Sequence, residues 1–187
     1  AANGTAALAN GAEGIVVQGA ATSTTIGGTS AAARNVISGN GTYGIRIRDI
    51  GTTDTLVQGN YIGTNAAGAA AVGNAGSGIR LSSGTVNNTI GGGAAGAGNV
   101  VSGNGVGVEI AGSGTSGNVV AGNVIGLNAA QTAAIGNTNQ GIYLNTSASD
   151  NTIGSTAAGA GNVVANNGAA GIAVTGMGAG NSLLGNS

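Results

Sequence analysis

Apolar residues recur along this chain as apolar–any–apolar triplets, each directly after a glycine: Ile15–Val17, Ile45–Ile47, Ile79–Leu81, Val108–Ile110, Ile142–Leu144 and Ile172–Val174. In a strand successive side chains point to opposite faces. The two outer residues of each triplet therefore share a face, which we assign to an interior. The steps between first residues are 30, 34, 29, 34 and 30, so two triplets make a super-repeat of 63 or 64 residues. A period of that size marks a solenoid. A helical reading fails, because glycine and β-branched residues crowd every window and no 3.6-residue period is present.

Two further apolar positions recur between triplets. A second strand puts Ile26, Val57, Ile90, Val120, Ile153 and Leu183 inward, and a third puts Ile37, Ile62, Val101, Ile125 and Val164 inward. Three short strands per turn, joined by Gly- and Asn-rich corners, predict an all-β fold. It is a parallel β-helix of six rungs spaced about 4.8 Å apart, forming one domain over residues 1–187.

Polar positions are equally periodic. One row of asparagines is Asn35, Asn60, Asn99, Asn123, Asn162 and Asn186; a second, five residues later, is Asn40, Asn65, Asn104, Asn128 and Asn167. Asn tolerates left-handed backbone at corners. A stacked carboxamide also donates to one neighbouring rung and accepts from the other, so both rows are expected to be structural ladders. Odd rungs carry a long loop between the second and third strands (Gly27–Arg34, Gly91–Gly98, Gly154–Gly161). Even rungs carry one between the third strand and the next triplet (Ala66–Ser77, Ala129–Gln140). The latter loops hold Val72 and Ile135, with Leu8 at the matching place before the first triplet. These three residues are expected to tuck the loops against the coil.

Composition narrows the chemistry. Gly is 41 of 187 residues, and Pro, Cys, His, Trp, Phe and Lys are absent. The basic residues are Arg34, Arg46, Arg48 and Arg80; the acids are Glu13, Asp49, Asp54, Glu109 and Asp150, for a net charge of −1. That balance carries no electrostatic footprint for nucleic acid or anionic lipid. Disulfide and thiol chemistry are absent with cysteine, and no apolar run is long enough to span a bilayer.

Segments such as GNYIGTNAAGAAAVGNAGSGI and NNTIGGGAAGAGNVVSGNG resemble the repeats of right-handed parallel β-helix proteins of the pectate-lyase-like superfamily. More closely, they resemble the Asn/Gly-rich repeats of large bacterial secreted and surface proteins. The resemblance implies a right-handed coil, in line with the handedness of parallel crossovers, and an extracellular or cell-surface location. It does not select an activity, since one fold hosts many. The superfamily's lyases use clustered acids for calcium and a basic residue for proton abstraction, and its glycosidases use paired or triple Asp. Here Asp49 and Asp54 share one corner. Asp150 lies three rungs away, roughly 14 Å at the strand spacing, and no Lys or His offers a conventional base. No catalytic, metal or cofactor-binding residue is assigned, and the chain is not read as an enzyme of lyase or hydrolase type.

The leading expectation is a structural solenoid: filament, sheath or stalk material that stacks end to end. Its partner would be another copy or flanking repeats of the same chain. From Asn151 to Ser187 no charged residue, edge proline or helix-forming stretch supplies the polar cap that a soluble solenoid end needs, and the opposite end reads as uncapped too. The alternative is a glycan-binding adhesin module. The outward residues of the first strand read Val16, Arg46, Arg80, Glu109, Tyr143 and Ala173, and Arg46, Arg80, Glu109 and Tyr143 form the one chemically distinctive patch. An ice-binding reading would use the row Thr25, Leu56, Thr89, Val119, Thr152 and Ser182, which is interrupted at alternate rungs. Finally, Val36, Tyr61, Val100, Val124 and Val163 face out from the third strand. Such an apolar stripe is expected to be covered, by loops or by another copy.

Overall fold

The structure is a computed structural model that describes residues 8–176 and 178–187; residues 1–7 and 177 of the single domain expected over 1–187 lie outside the described residues. Its strands form three parallel sheets that run along a six-turn coil. The first sheet stacks β1 (Ile15–Val17), β4 (Ile45–Arg48), β7 (Ser77–Ser82), β10 (Val106–Ala111), β13 (Ile142–Asn145) and β16 (Ile172–Val174). The second holds β2 (Thr25–Gly27), β5 (Leu56–Gln58), β8 (Thr89–Gly91), β11 (Val119–Ala121), β14 (Thr152–Gly154) and β17 (Ser182–Leu184). The third holds β3 (Val36–Ile37), β6 (Tyr61–Ile62), β9 (Val100–Val101), β12 (Val124–Ile125) and β15 (Val163–Val164). A 3-10 turn at Ala31–Ala33 is the one helical element among the described residues.

The register follows the apolar pattern, because a one-residue slip would turn every aliphatic side chain to solvent. Ile15 pairs with Ile45, Ile45 with Ile79, Ile79 with Val108, Val108 with Ile142 and Ile142 with Ile172. In the middle rungs the three inward columns are sealed: Ile79, Leu81, Ile90, Val101, Val108, Ile110, Val120 and Ile125 expose no surface. At the last rung the burial relaxes. Leu183 keeps the inward register opposite Ile153 yet is 46% exposed, because no further rung covers it. No aromatic side chain enters this core, so aliphatic burial supplies its stability, at roughly 1.5–3 kcal/mol per enclosed side chain before entropy.

Tight corners set the width of the coil. Gly91 closes β8 with φ +89°, and a Cβ there would run into the carbonyl of Ala121 and the carboxamide of Asn123 on the next rung. Only glycine meets both demands.

Asparagine carboxamides fill the corners between sheets in three ladders. The first runs Asn35–Asn60–Asn99–Asn123–Asn162–Asn186, each Nδ2 donating to the next Oδ1 at 2.8–3.1 Å. The second runs Asn10–Asn40–Asn74–Asn104–Asn137–Asn167. Here the structure corrects the expected row: Asn74 and Asn137 occupy the places given to Asn65 and Asn128. Asn65 instead accepts from the amides of Ala69 and Ala70, and Asn128 from those of Thr132 and Ala133. Each folds its long loop back on itself, with antiparallel bridges Thr64–Ala71 and Leu127–Ala134. The inserted loop delays the ladder residue to four or five positions before the triplet. A third ladder, absent from the sequence reading, is Asn88–Asn118–Asn151–Asn181.

The two long-loop series stand on either side of the third sheet and stack on their own kind. Ala129 N–H donates to Gly68 O between loops of the second series. Ile135 is buried at 7% exposure and Val72 partly so, but Leu8 is 78% exposed and holds nothing against the coil.

Candidate functional site

The outward row of the first sheet is contiguous: Val16, Arg46, Arg80, Glu109, Tyr143 and Ala173 are successive register partners. Two like charges, Arg46 and Arg80, therefore sit on adjacent strands, which is unfavourable without compensation. Compensation comes from two carboxylates and an aromatic ring. Arg46 Nη1 donates to Glu13 Oε1 at 3.0 Å, and Arg80 Nη1 lies 3.3 Å from Glu109 Oε2. Both guanidinium groups lie over the Tyr43 ring, 5.4 and 5.3 Å from its centroid, and Arg80 Nη1 also donates to the Tyr43 hydroxyl at 2.8 Å. The Arg46 guanidinium, through that hydrogen bond first, holds the Glu13 carboxyl below its ordinary pKa.

Glu109 ties three rungs together. Its carboxylate accepts from Ser77 Oγ at 2.6 Å and from Asn145 Nδ2 at 3.2 Å, and pairs with the Arg80 guanidinium. Two hydrogen bonds and an ion pair already engage it, so it acts as a local clamp. Tyr143 is next in the row, but its hydroxyl accepts from Thr175 Oγ1 at 3.1 Å, toward the last rung. Of the four residues named from the sequence, the structure thus brings Arg46, Arg80 and Glu109 into one polar cluster and directs Tyr143 elsewhere. Tyr43 and Glu13 join that cluster from the corner before β4 and the loop before β1. Glycine-preceded triplets do not point to residues outside the strands, so the pattern gave no signal for either.

The remaining acids stay apart. Asp49, Asp54 and Asp150 occupy corners with φ of 81°, 56° and 54°, in the left-handed region that Asp tolerates. Asp49 accepts from the Gly19 amide at 3.3 Å and Asp54 from its neighbour Thr53 Oγ1 at 3.1 Å. Among the described residues no three acidic, His or Cys side chains gather as metal ligands.

The lateral stripe is covered unevenly by the chain's own loops. Val36, Tyr61, Val100, Val124 and Val163 are successive partners on the third sheet. Val100 is buried at 6% exposure, Tyr61, Val124 and Val163 are half-buried, and Val36 is 43% exposed. Arg34 lies over the Tyr61 ring at 4.0 Å and anchors there by donating from Nε to Gly59 O at 3.0 Å. What remains is a trough of about 460 Å³ floored by Tyr61, Val100 and Val124. On the second sheet Thr25, Leu56, Thr89, Val119, Thr152 and Ser182 do align, with Leu56 and Val119 interrupting the hydroxyls.

No protein-family model matches this chain, and no curated protein or solved structure shows significant similarity to it.

Proposed function

We propose that this chain is a structural β-solenoid of extracellular or cell-surface material, a stalk, sheath or filament unit that continues through its end rungs. The sequence resemblance to Asn/Gly-rich repeats of bacterial secreted and surface proteins, and to the pectate-lyase-like superfamily, supports the location and a right-handed coil. The observation that carries the reading is the polarity of the ladders. In the rung-to-rung steps of all three, a carboxamide N–H donates to the carboxamide oxygen of the following rung. The last rung therefore presents donors from Asn167, Asn181 and Asn186, and among the described residues Asn10 and Asn35 begin two of the ladders at the first rung. The two faces match head to tail at two of the three corners, since the third ladder starts only at Asn88, and a head-to-tail contact that does not close generates an open fibre. Apolar edges at Val174, Leu183 and Leu184, exposed by 39–46%, add area for the same contact.

The partner across that contact is another copy or a flanking repeat of the same polypeptide. Sedimentation and electron microscopy of the purified 17.0 kDa chain, beside denaturing mass analysis of native material, test this. Concentration-dependent fibres, or a much heavier native polypeptide, support it. A native 17.0 kDa subunit that stays monomeric at high concentration defeats it. Leu184→Lys should shorten fibres while leaving the strand signal in circular dichroism unchanged.

A second reading, a glycan-binding adhesin module, rests on the Tyr43–Arg46–Arg80 cluster, which sets an aromatic ring among hydrogen-bond donors. Loss of glycan retention in Tyr43→Ala would support it, and absence of retention by the unaltered chain would end it.

A further inference from the structure

Beside the cation row, the first sheet carries a hollow of about 240 Å³. Its floor is made by short side chains. Ser82 and Ala111 are register partners one outward position beyond Arg80 and Glu109, so the surface drops there below the tall arginines. Arg46 and Arg80 form one wall, and Ser83, Ser113 and Thr146 contribute hydroxyls to the others. Ser82 is 95% buried by its 5% residual exposure, and its Oγ has no hydrogen-bond partner. The Nε–H groups of Arg46 and Arg80 are likewise buried without partners, although each arginine is anchored through Nη1. A buried polar group left unpaired costs about 1–3 kcal/mol, and all three of these belong to residues that line the hollow.

Glu13 and Glu109 engage the arginines but do not line the hollow, and no carboxylate does among the described residues. Arg48, the register partner of Ser82, does not line the hollow; its Nε donates to Gln18 Oε1 at 2.7 Å on the preceding rung. The unpartnered groups are donors: two N–H and one hydroxyl.

We propose that this hollow is an oxyanion site, taking a sulfate, phosphate or carboxylate group of a ligand against Arg46, Arg80 and Ser82. An oxyanion accepts at several oxygens at once, and guanidinium donors form the stronger, charge-assisted class of hydrogen bond. The proposal is independent of fibre formation, because the hollow lies on the lateral face.

The test uses the full chain labelled with 15N, titrated with sodium sulfate, sodium phosphate and sodium acetate. Ionic strength is held constant with sodium chloride. The Nε–H resonances of the four arginines report directly. The expected result is a saturable shift of Arg46 and Arg80 with at least one of the three anions, at a dissociation constant on the order of 1 mM. Arg34, whose Nε is bound to Gly59 O, should stay in place. Ser82→Ala should weaken that binding about 2- to 10-fold with an unchanged melting curve, and Arg80→Gln should abolish it. Small, unsaturable shifts of all four arginines alike would overturn the proposal, as would Ser82→Ala binding as tightly as the unaltered chain. The titration of the unaltered chain decides the matter even if a variant fails to fold.

Discussion

Asn74 Nδ2 donates to Asn104 Oδ1 at 2.8 Å, and Asn74 Nδ2 also reaches Ile37 O at 3.1 Å on the other side. One carboxamide therefore joins three consecutive rungs, beside the backbone bonds from Ala75 N to Asn40 O and from Gly105 N to Asn74 O. Repeated at three corners, this contact satisfies backbone groups that a glycine-rich coil would otherwise bury unpaired.

The ladder should be more valuable where it is enclosed. Asn99 is fully buried; it donates to Asn123 Oδ1 and Val57 O and accepts from the Asn60 amide. Asn99→Ala leaves the buried Asn60 backbone N–H and one of its Nδ2 hydrogens without an acceptor, at about 1–3 kcal/mol each, so a loss of at least about 2 kcal/mol is expected. Asn65→Ala removes only loop contacts and should cost under about 1 kcal/mol. Urea unfolding of the two variants checks the contrast.

A cavity in the aliphatic column should be felt equally. Ile90 exposes no surface, and Ile90→Ala should destabilise by about 2–5 kcal/mol. Ile50 is 83% exposed at a corner, and Ile50→Ala should stay within about 0.5 kcal/mol. Equal melting temperatures for the two variants would refute the assignment of the core.

Backbone geometry makes a third contrast. Gly91→Ala combines left-handed φ with a clash against the Ala121 carbonyl, and should prevent folding or cost more than about 3 kcal/mol. Gly11→Ala meets nothing within 4 Å and should be neutral. Soluble expression and thermal melts of both variants give the answer.

The Glu13–Arg46 pair should leave a signature in acid. Arg46 lowers the Glu13 pKa in the folded state, so the folded chain binds that proton more weakly than the unfolded chain does. The pair's stabilisation is then fully present above the unfolded pKa and is lost as pH falls through the depressed folded value. Both side chains keep contact with water, which limits the effect to under about 1 kcal/mol. Melting temperatures of Glu13→Gln and the unaltered chain should differ at neutral pH and converge in strong acid. A gap that persists in strong acid would point to another cause.

Strand positions, their inward and outward faces, and the rung-to-rung register were all legible in the sequence. Val16 to Ala173 align across six strands as their spacing indicates, because alternation by two is a local property that burial then enforces. The Asn35 row was legible for the same reason, since its members keep a constant distance to the third strand. The Asn40 row was legible only in part: Asn40, Asn104 and Asn167 do stand on the ladder. Asn65 and Asn128 hold the expected spacing, but loop closure claims their carboxamides, and only the folded loop shows that Asn74 and Asn137 arrive at the ladder instead. The polar cluster divides in the same way. Arg46, Arg80 and Glu109 follow from register, whereas Tyr43 beneath the guanidinium groups and the unpartnered Ser82 hydroxyl in the hollow depend on where corners turn. Periodicity determines which side of a strand a residue occupies; contacts across 24–42 residues are decided by the path of the connections, which the repeat leaves free to vary.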